Sequence, residues 1–226
     1  MTLPPGPTPD PADEPTGGEV LEITPLDQPP DAVVEVPGSK SLTNRALLCA
    51  ALARGRTRLE GVLFADDTEA MMGVVAALGA TLEADRTRRR VVVEGLGGPP
   101  RPRPGTRLDA RMSGTTGRFV LPVAATANTG IVVDGHPQLR ARPLAPLVDA
   151  LTDLGATVSA LEEPGRLPLS VRGPLTGSRV RLPADVSSQF VSGLLLAGPL
   201  LAGGLTVELT TEPVSAPYLD LTVATM

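Results

Sequence analysis

The chain has 226 residues, 42% of them apolar and 20% charged, enough for a packed core and too apolar for a disordered chain. Aromatic residues make up only 2%, and the formal net charge is −5, which together exclude a general nucleic-acid surface built on stacking and phosphate contacts. The single cysteine, Cys49, and single histidine, His136, exclude a disulfide framework and a thiolate or His-rich metal centre within one chain.

Residues 1–18 hold six prolines without periodicity and read as a disordered tail, and residues 19–226 read as one domain. The acidic N-terminus lacks the basic and apolar regions of a signal peptide. No apolar run reaches the roughly eighteen residues that cross a bilayer. A cytoplasmic protein without metal or other cofactor is expected.

From about Val20 the pattern alternates β-like runs with helices. Ala32 to Pro37 reads as a strand, Gly38-Ser39-Lys40-Ser41 as a turn, and Leu42 to Ala53 as a helix burying Leu42, Ala46, Cys49, Ala50 and Ala53. Thr57 to Leu63 is a second strand. A helix follows from Asp66, which with Glu69 resembles a capping box; it buries Met71, Val74, Val75 and Leu78 and is stopped by Gly79. Strands at Thr81 to Ala84 and Arg90 to Glu94 complete a βαβαββ unit.

The order then recurs. Arg107 to Ala110, the turn Ser113-Gly114-Thr115-Thr116, a helix from Arg118 to Ala127, Gly130 to Asp134, a helix from Pro143 to Leu154, and strands Thr157 to Leu161 and Leu167 to Val171 form a second unit. A third opens with Arg179 to Leu182, the turn Ser187-Ser188-Gln189, a helix from Phe190, strand Leu205 to Leu209 and a helix near Pro217. The turns begin at Ser39, Ser113 and Ser187, spaced by 74 and 74 residues. The expected class is α+β, a pseudo-threefold repeat over about 32–97, 106–175 and 178–226, the last incomplete by two strands.

Each turn leads into a helix N-terminus, where unpaired backbone N–H groups and the helix dipole favour anions. The basic companions are Lys40, Arg45, Arg118, Arg140 and Arg142. Nineteen of the twenty basic residues are Arg, so the lone Lys40 marks a position that uses a compact, rotatable ammonium. The pattern describes a site for a small ligand with phosphate and carboxylate groups. It is not a P-loop, because Ser39 precedes the lysine and Val34 occupies the place of the first glycine; no G-x-G-x-x-G is present.

Pro37-Gly38-Ser39-Lys40-Ser41-Leu42-Thr43-Asn44-Arg45 resembles the signature of the EPSP synthase family, the 3-phosphoshikimate 1-carboxyvinyltransferases. The resemblance continues through Ser113 to Arg118, Gly135 to Pro143, Ser187 to Phe190 and Ser215 to Asp220. It implies a fold of two similar domains, each of three βαβαββ units, of which this chain would be the first. The second domain would be a missing partner supplying acid–base carboxylates, and the full-length enzyme would be monomeric.

The implied reaction is carboxyvinyl transfer from phosphoenolpyruvate to the 5-hydroxyl of shikimate 3-phosphate in aromatic amino acid biosynthesis. Lys40 would be catalytic and contact both substrates. Ser41 and Arg45 would hold the shikimate carboxylate, Ser187, Ser188 and Ser215 its phosphate, and Gln189 and Tyr218 its ring. Gly114 and Arg142 would face phosphoenolpyruvate, where glyphosate also binds in the family. Met112 stands where family members often carry Asn, which removes one implied amide contact. Asp66 and Asp67 read as helix caps, His136 as a surface residue and Cys49 as a buried, inert thiol. Two alternatives are a UDP-N-acetylglucosamine enolpyruvyl transferase, disfavoured because no Cys lies in 135–143, and a noncatalytic anion-binding remnant.

Overall fold

The computed structural model describes residue 25 and residues 27–226; the proline-rich segment 1–18 lies outside the described residues. The chain divides into two units, residues 1–36 and 37–226. In the first, the apolar run expected as a strand from Ala32 forms none, and Val33, Val34 and Val36 are exposed. An alternating apolar run becomes a strand only when a neighbouring backbone pairs with it and a face is buried.

The second unit begins with α1 (Lys40–Leu52), β1 (Arg54–Glu60), α2 (Asp66–Ala77), β2 (Thr81–Asp85) and β3 (Arg90–Leu96). Here β1 and β2 both pair antiparallel with β3, in the order β1-β3-β2. Next come β4 (Arg107–Asp109), α3 (Gly114–Ala124), β5 (Ile131–Asp134), α4 (Pro137–Arg140), α5 (Ala145–Asp153), β6 (Thr157–Ala160) and β7 (Leu169–Arg172). Their sheet runs β4-β5-β7-β6, with β4 parallel to β5 and the other pairs antiparallel. The last elements are β8 (Arg179–Leu182), α6 (Ser188–Ala197), β9 (Thr206–Leu209) and α7 (Pro217–Thr225), with β8 parallel to β9. The strand order β1-β3-β2 matches β5-β7-β6, and the parallel pair β8-β9 matches β4-β5.

Ser39, Ser113 and Ser187 are the N-caps of α1, α3 and α6, accepting from the N–H of Leu42 at 3.3 Å, Thr116 at 3.1 Å and Gln189 at 3.3 Å. A serine cap holds the chain extended just before the helix and satisfies one orphan donor, so the three helices start at the turns themselves. Accordingly α1, α3 and α6 begin at Lys40, Gly114 and Ser188, earlier than the apolar periodicity predicted. At α2 the cap is Ala65, not Asp66: Thr68 Oγ1 accepts from the Ala65 N–H at 3.0 Å and stands in for the expected carboxylate box. Gly79 and Gly155 end α2 and α5 with φ of +113° and +99°, a conformation that side-chain-bearing residues rarely adopt.

The core is continuous across the second unit. Met71, Val74, Val75 and Leu78 on α2 are all buried as the sequence predicted, each contributing about 1.5–3 kcal/mol relative to exposure. The predicted face of α1 is rotated. Leu42 and Ala53 are exposed, while Thr43, Asn44 and Arg45 are buried beside Leu47, Leu48, Ala50 and Ala51. Central α3 and α6 pack closely: a Cβ on Gly193 would lie 2.5 Å from the Arg118 carbonyl oxygen, so only glycine permits that approach. Cys49 is half-buried against the core, and burial pushes its thiol pKa up.

Candidate functional site

The starts of α1, α3, α6 and α7 border one cavity of about 500 Å³. Ser41 and Arg45 reach it from α1, Thr115 and Arg118 from α3. Ser187, Ser188 and Gln189 come from the cap and first turn of α6, and Ser215 and Tyr218 from the entry to α7. Seven of the eight residues that the resemblance implied for shikimate 3-phosphate thus meet in one place, all but Lys40. Ser215 has φ of +60°, an uncommon backbone for a residue with a side chain and one that recurs at binding sites.

Arg45 is 2% exposed yet has no carboxylate partner among the described residues. Its Nε donates to Thr222 Oγ1 at 2.8 Å, Nη1 to the Ser41 carbonyl at 3.0 Å, and Nη2 to the Tyr218 carbonyl at 3.2 Å and Ser192 Oγ at 3.4 Å. The guanidinium carbon lies 4.9 Å from the Phe119 ring centroid and 5.8 Å from that of Tyr218, giving the cation two π faces. Burial lowers its pKa.

Arg118 is a second cation without an acid among the described residues. Its Nη1 donates to Gln189 Oε1 at 2.8 Å, Gln189 Nε2 donates to Thr115 Oγ1 at 3.1 Å, and Arg118 Nε is buried without a partner. Burial lowers the Arg118 pKa first, and the neighbouring Arg142 charge lowers it further. Both guanidiniums crowd Gly114, where a Cβ would stand 2.7 Å from Arg142 Nη1 and 2.9 Å from Arg118 Nη1. Two converging like charges on a glycine floor make a clamp for an anionic group.

Lys40, the first residue of α1, is half-exposed and does not line the cavity; its Nζ is 3.1 Å from Asp67 Oδ2. Asp67 is therefore an ion-pair partner rather than a helix cap. It is fixed from α3 as well, because Thr116 Oγ1 donates to the Asp67 carbonyl at 3.2 Å. Arg140, expected among the basic companions, is engaged elsewhere: it pairs with Asp134 at 2.8 Å and Glu162 at 2.7 Å. His136 is an exposed residue that caps the short helix α4, its Nδ1 accepting from the Gln138 N–H at 3.3 Å. Met112 is 52% exposed, outside the cavity.

Sequence reasoning named Arg118 as a basic companion of the turns without giving it a substrate, placed Thr115 only in the second turn, and gave no role to Ser192 or Thr222. Ser192, inside the apolar stretch Phe190–Ala197, was the legible signal, since a hydroxyl in such a stretch needs a partner. No group of three or more His, Cys, Asp or Glu gathers to hold a metal among the described residues, and no described helix is long and apolar enough to cross a membrane.

The family model described as EPSP synthase (3-phosphoshikimate 1-carboxyvinyltransferase) matches residues 27–226. The chain is 38% identical over 215 residues to a 3-phosphoshikimate 1-carboxyvinyltransferase of Histophilus somni, covering 92% of this chain and 49% of that protein. It is 46% identical over 187 residues to one of Halobacterium salinarum, covering 83% of this chain and 43% of that protein. A solved EPSP synthase of Acinetobacter baumannii superimposes with a TM-score of 0.71 at 30% identity, over 80% of this chain and 40% of that one. The chain spans about half the length of the curated relatives it matches. With the family model covering most of its length, this chain belongs to the EPSP synthase family.

Proposed function

We propose that this chain provides the shikimate 3-phosphate pocket and part of the phosphoenolpyruvate clamp of a 3-phosphoshikimate 1-carboxyvinyltransferase. The observation that carries the reading is the meeting of Ser41, Arg45, Ser187, Ser188, Gln189, Ser215 and Tyr218 on one cavity that also holds Arg118. In this reading residues 19–226 are the first of two domains, a pseudo-threefold repeat of βαβαββ units, within a cytoplasmic, monomeric enzyme. The matching strand orders of the sheets support that repeat.

Ser187, Ser188 and Ser215 offer hydroxyls and α6 offers N-terminal N–H groups to the phosphate of shikimate 3-phosphate. Ser41 and the unspent hydrogen of Arg45 take its carboxylate, and Gln189 and Tyr218 border the ring. Phosphoenolpyruvate sits above Gly114 with its anionic groups on Arg118 and Arg142, and Lys40 leaves Asp67 to reach the space between the substrates. The 5-hydroxyl then gives up its proton to a base and its oxygen bonds to C2 of phosphoenolpyruvate as a proton from an acid arrives at C3. Loss of phosphate and of one C3 proton from that tetrahedral adduct regenerates the double bond. Among the described residues the cavity lining contains no Asp or Glu, and in this reading the remainder of the enzyme supplies the proton-handling carboxylates.

Because the shikimate-side residues line the cavity while Lys40 is paired away, this chain should bind shikimate 3-phosphate more tightly than phosphoenolpyruvate. Titration calorimetry with each ligand tests this. Phosphoenolpyruvate binding equal to or tighter than shikimate 3-phosphate would overturn the reading.

A further inference from the structure

Helix α7 has one fully buried residue, and it is a threonine. Thr222 Oγ1 accepts from Arg45 Nε at 2.8 Å, donates to the Tyr218 carbonyl at 2.7 Å, and lies 2.9 Å from Ser192 Oγ. A hydroxyl has one hydrogen to give, so with Thr222 donating to Tyr218, Ser192 must donate to Thr222. Ser192 Oγ is then free to accept from Arg45 Nη2 at 3.4 Å. Donors and acceptors are matched around the ring, and the guanidinium is held on three sides without an acid.

We infer that Thr222 and Ser192 are positioning residues: they aim Arg45 at the cavity and, through it, latch α7 so that Ser215 and Tyr218 border the same cavity. Apolar docking of α7 rests on Leu219 and Leu221, both only partly buried, while Tyr218 and Val223 are exposed. The polar ring therefore sets the seat of the helix. Of the five guanidinium hydrogens, four are engaged, and the remaining one is on Nη1 of a residue that lines the cavity. Without Thr222, Arg45 loses its Nε acceptor and α7 loses its only buried anchor together. The inference deepens the function proposed above and rests on it only for the choice of ligand.

Tyr218 is the one tyrosine and there is no Trp, so tyrosine emission reports the start of α7 alone. The experiment compares the 226-residue chain with Thr222→Val, Thr222→Ser and Ser192→Ala. Two measurements are made on each: acrylamide quenching of Tyr218 emission without ligand, and titration with shikimate 3-phosphate. Thr222→Val should increase quenching and weaken shikimate 3-phosphate about tenfold or more, as for a lost hydrogen bond to a charged group. Thr222→Ser should restore both, and Ser192→Ala should fall between. If Thr222→Val does not fold by far-UV circular dichroism, Ser192→Ala carries the same two measurements. Wild-type quenching and affinity in Thr222→Val, or equal damage in Thr222→Ser, would overturn the latch. A quenching pattern as expected in a chain that binds no shikimate 3-phosphate would leave the latch standing and remove the proposed ligand.

Discussion

Gly114→Ala separates the demands of the anion clamp from those of the fold. Gly114 is the first residue of α3, and its φ is not in the left-handed region, so alanine fits the backbone. Replacing a helical glycine by alanine contributes at most about 1 kcal/mol of stability, and less at a first-turn position. The added Cβ would meet Arg142 Nη1 at 2.7 Å and Arg118 Nη1 at 2.9 Å, where ordinary contact begins near 3.4 Å. Both are ends of flexible side chains, so the fold accommodates the methyl by pushing the guanidiniums back by about 0.5–0.7 Å. That movement loosens the 2.8 Å bond from Arg118 to Gln189 and takes both cations off their ligand. Losing one charge-assisted hydrogen bond costs about 1.5–3 kcal/mol, so phosphoenolpyruvate affinity should fall roughly ten- to hundredfold. Calorimetry with shikimate 3-phosphate at saturation reads the affinity, and a thermal melt reads the fold. Unchanged phosphoenolpyruvate binding would refute the clamp; a melt lowered by many degrees would show that the glycine is required by packing instead.

Lys40→Arg, although it keeps the charge, should lower kcat of the complete enzyme by roughly a hundredfold to a thousandfold, the usual loss for one group contacting the transition state, and near-normal turnover would refute a special role for the lone lysine. Burial acts to raise the Asp134 carboxyl, but the Arg140 hydrogen bonds, the Gly135 N–H and Arg107 outweigh it and hold the pKa below the ordinary value. A carboxyl depressed in the folded state stabilises above its unfolded pKa of about 4 and loses that contribution as pH falls through the folded value. Thermal melts should therefore drop more steeply below about pH 4 in the parent than in Asp134→Asn, which should already melt lower at pH 7; identical pH profiles would remove Asp134 from the account. The 226-residue chain with both substrates should release phosphate only at background rate, since the cavity lining has no carboxylate to move the proton; clear turnover would contradict the assignment of proton transfer to the rest of the enzyme.

The sequence predicted most elements of the second unit because their signals are local. Ser39, Ser113 and Ser187 lie 74 residues apart and each caps a helix, and Gly79 and Gly155 stop two others. It misplaced the buried face of α1 because that helix buries Thr43, Asn44 and Arg45, which an apolar stripe does not count. The strand expected from Ala32 shows the complementary limit: pairing depends on a partner edge that lies nowhere in the local sequence. At the site, motif residues were legible by type, but which arginines remain unspent was not. Arg140 and Arg118 sit in similar surroundings on paper; only three-dimensional placement gives one Asp134 and Glu162 and the other Gln189 and Arg142.

The distribution of charge ties these observations together. The chain is acidic, with a formal net charge of −5, and Arg56, Arg86, Arg88, Arg107 and Arg140 all pair with carboxylates. No described ion pair involves Arg45 or Arg118, the two arginines whose pKa burial lowers, or Arg142. Burying a cation costs several kcal/mol unless hydrogen bonds or a counter-charge offset it, and here neutral oxygens and aromatic faces offset only part. The buried Asn44 carboxamide, with neither its N nor its O bonded among the described residues, adds to the same local cost next to Arg45. A fold that concentrates such costs around one cavity is stabilised by whatever anion enters it, because the ligand supplies the counter-charge that the chain withholds. The thermal upshift produced by a bound anion should accordingly depend on Arg45 and Arg118 and be nearly indifferent to Arg107, whose charge Asp134 already neutralises.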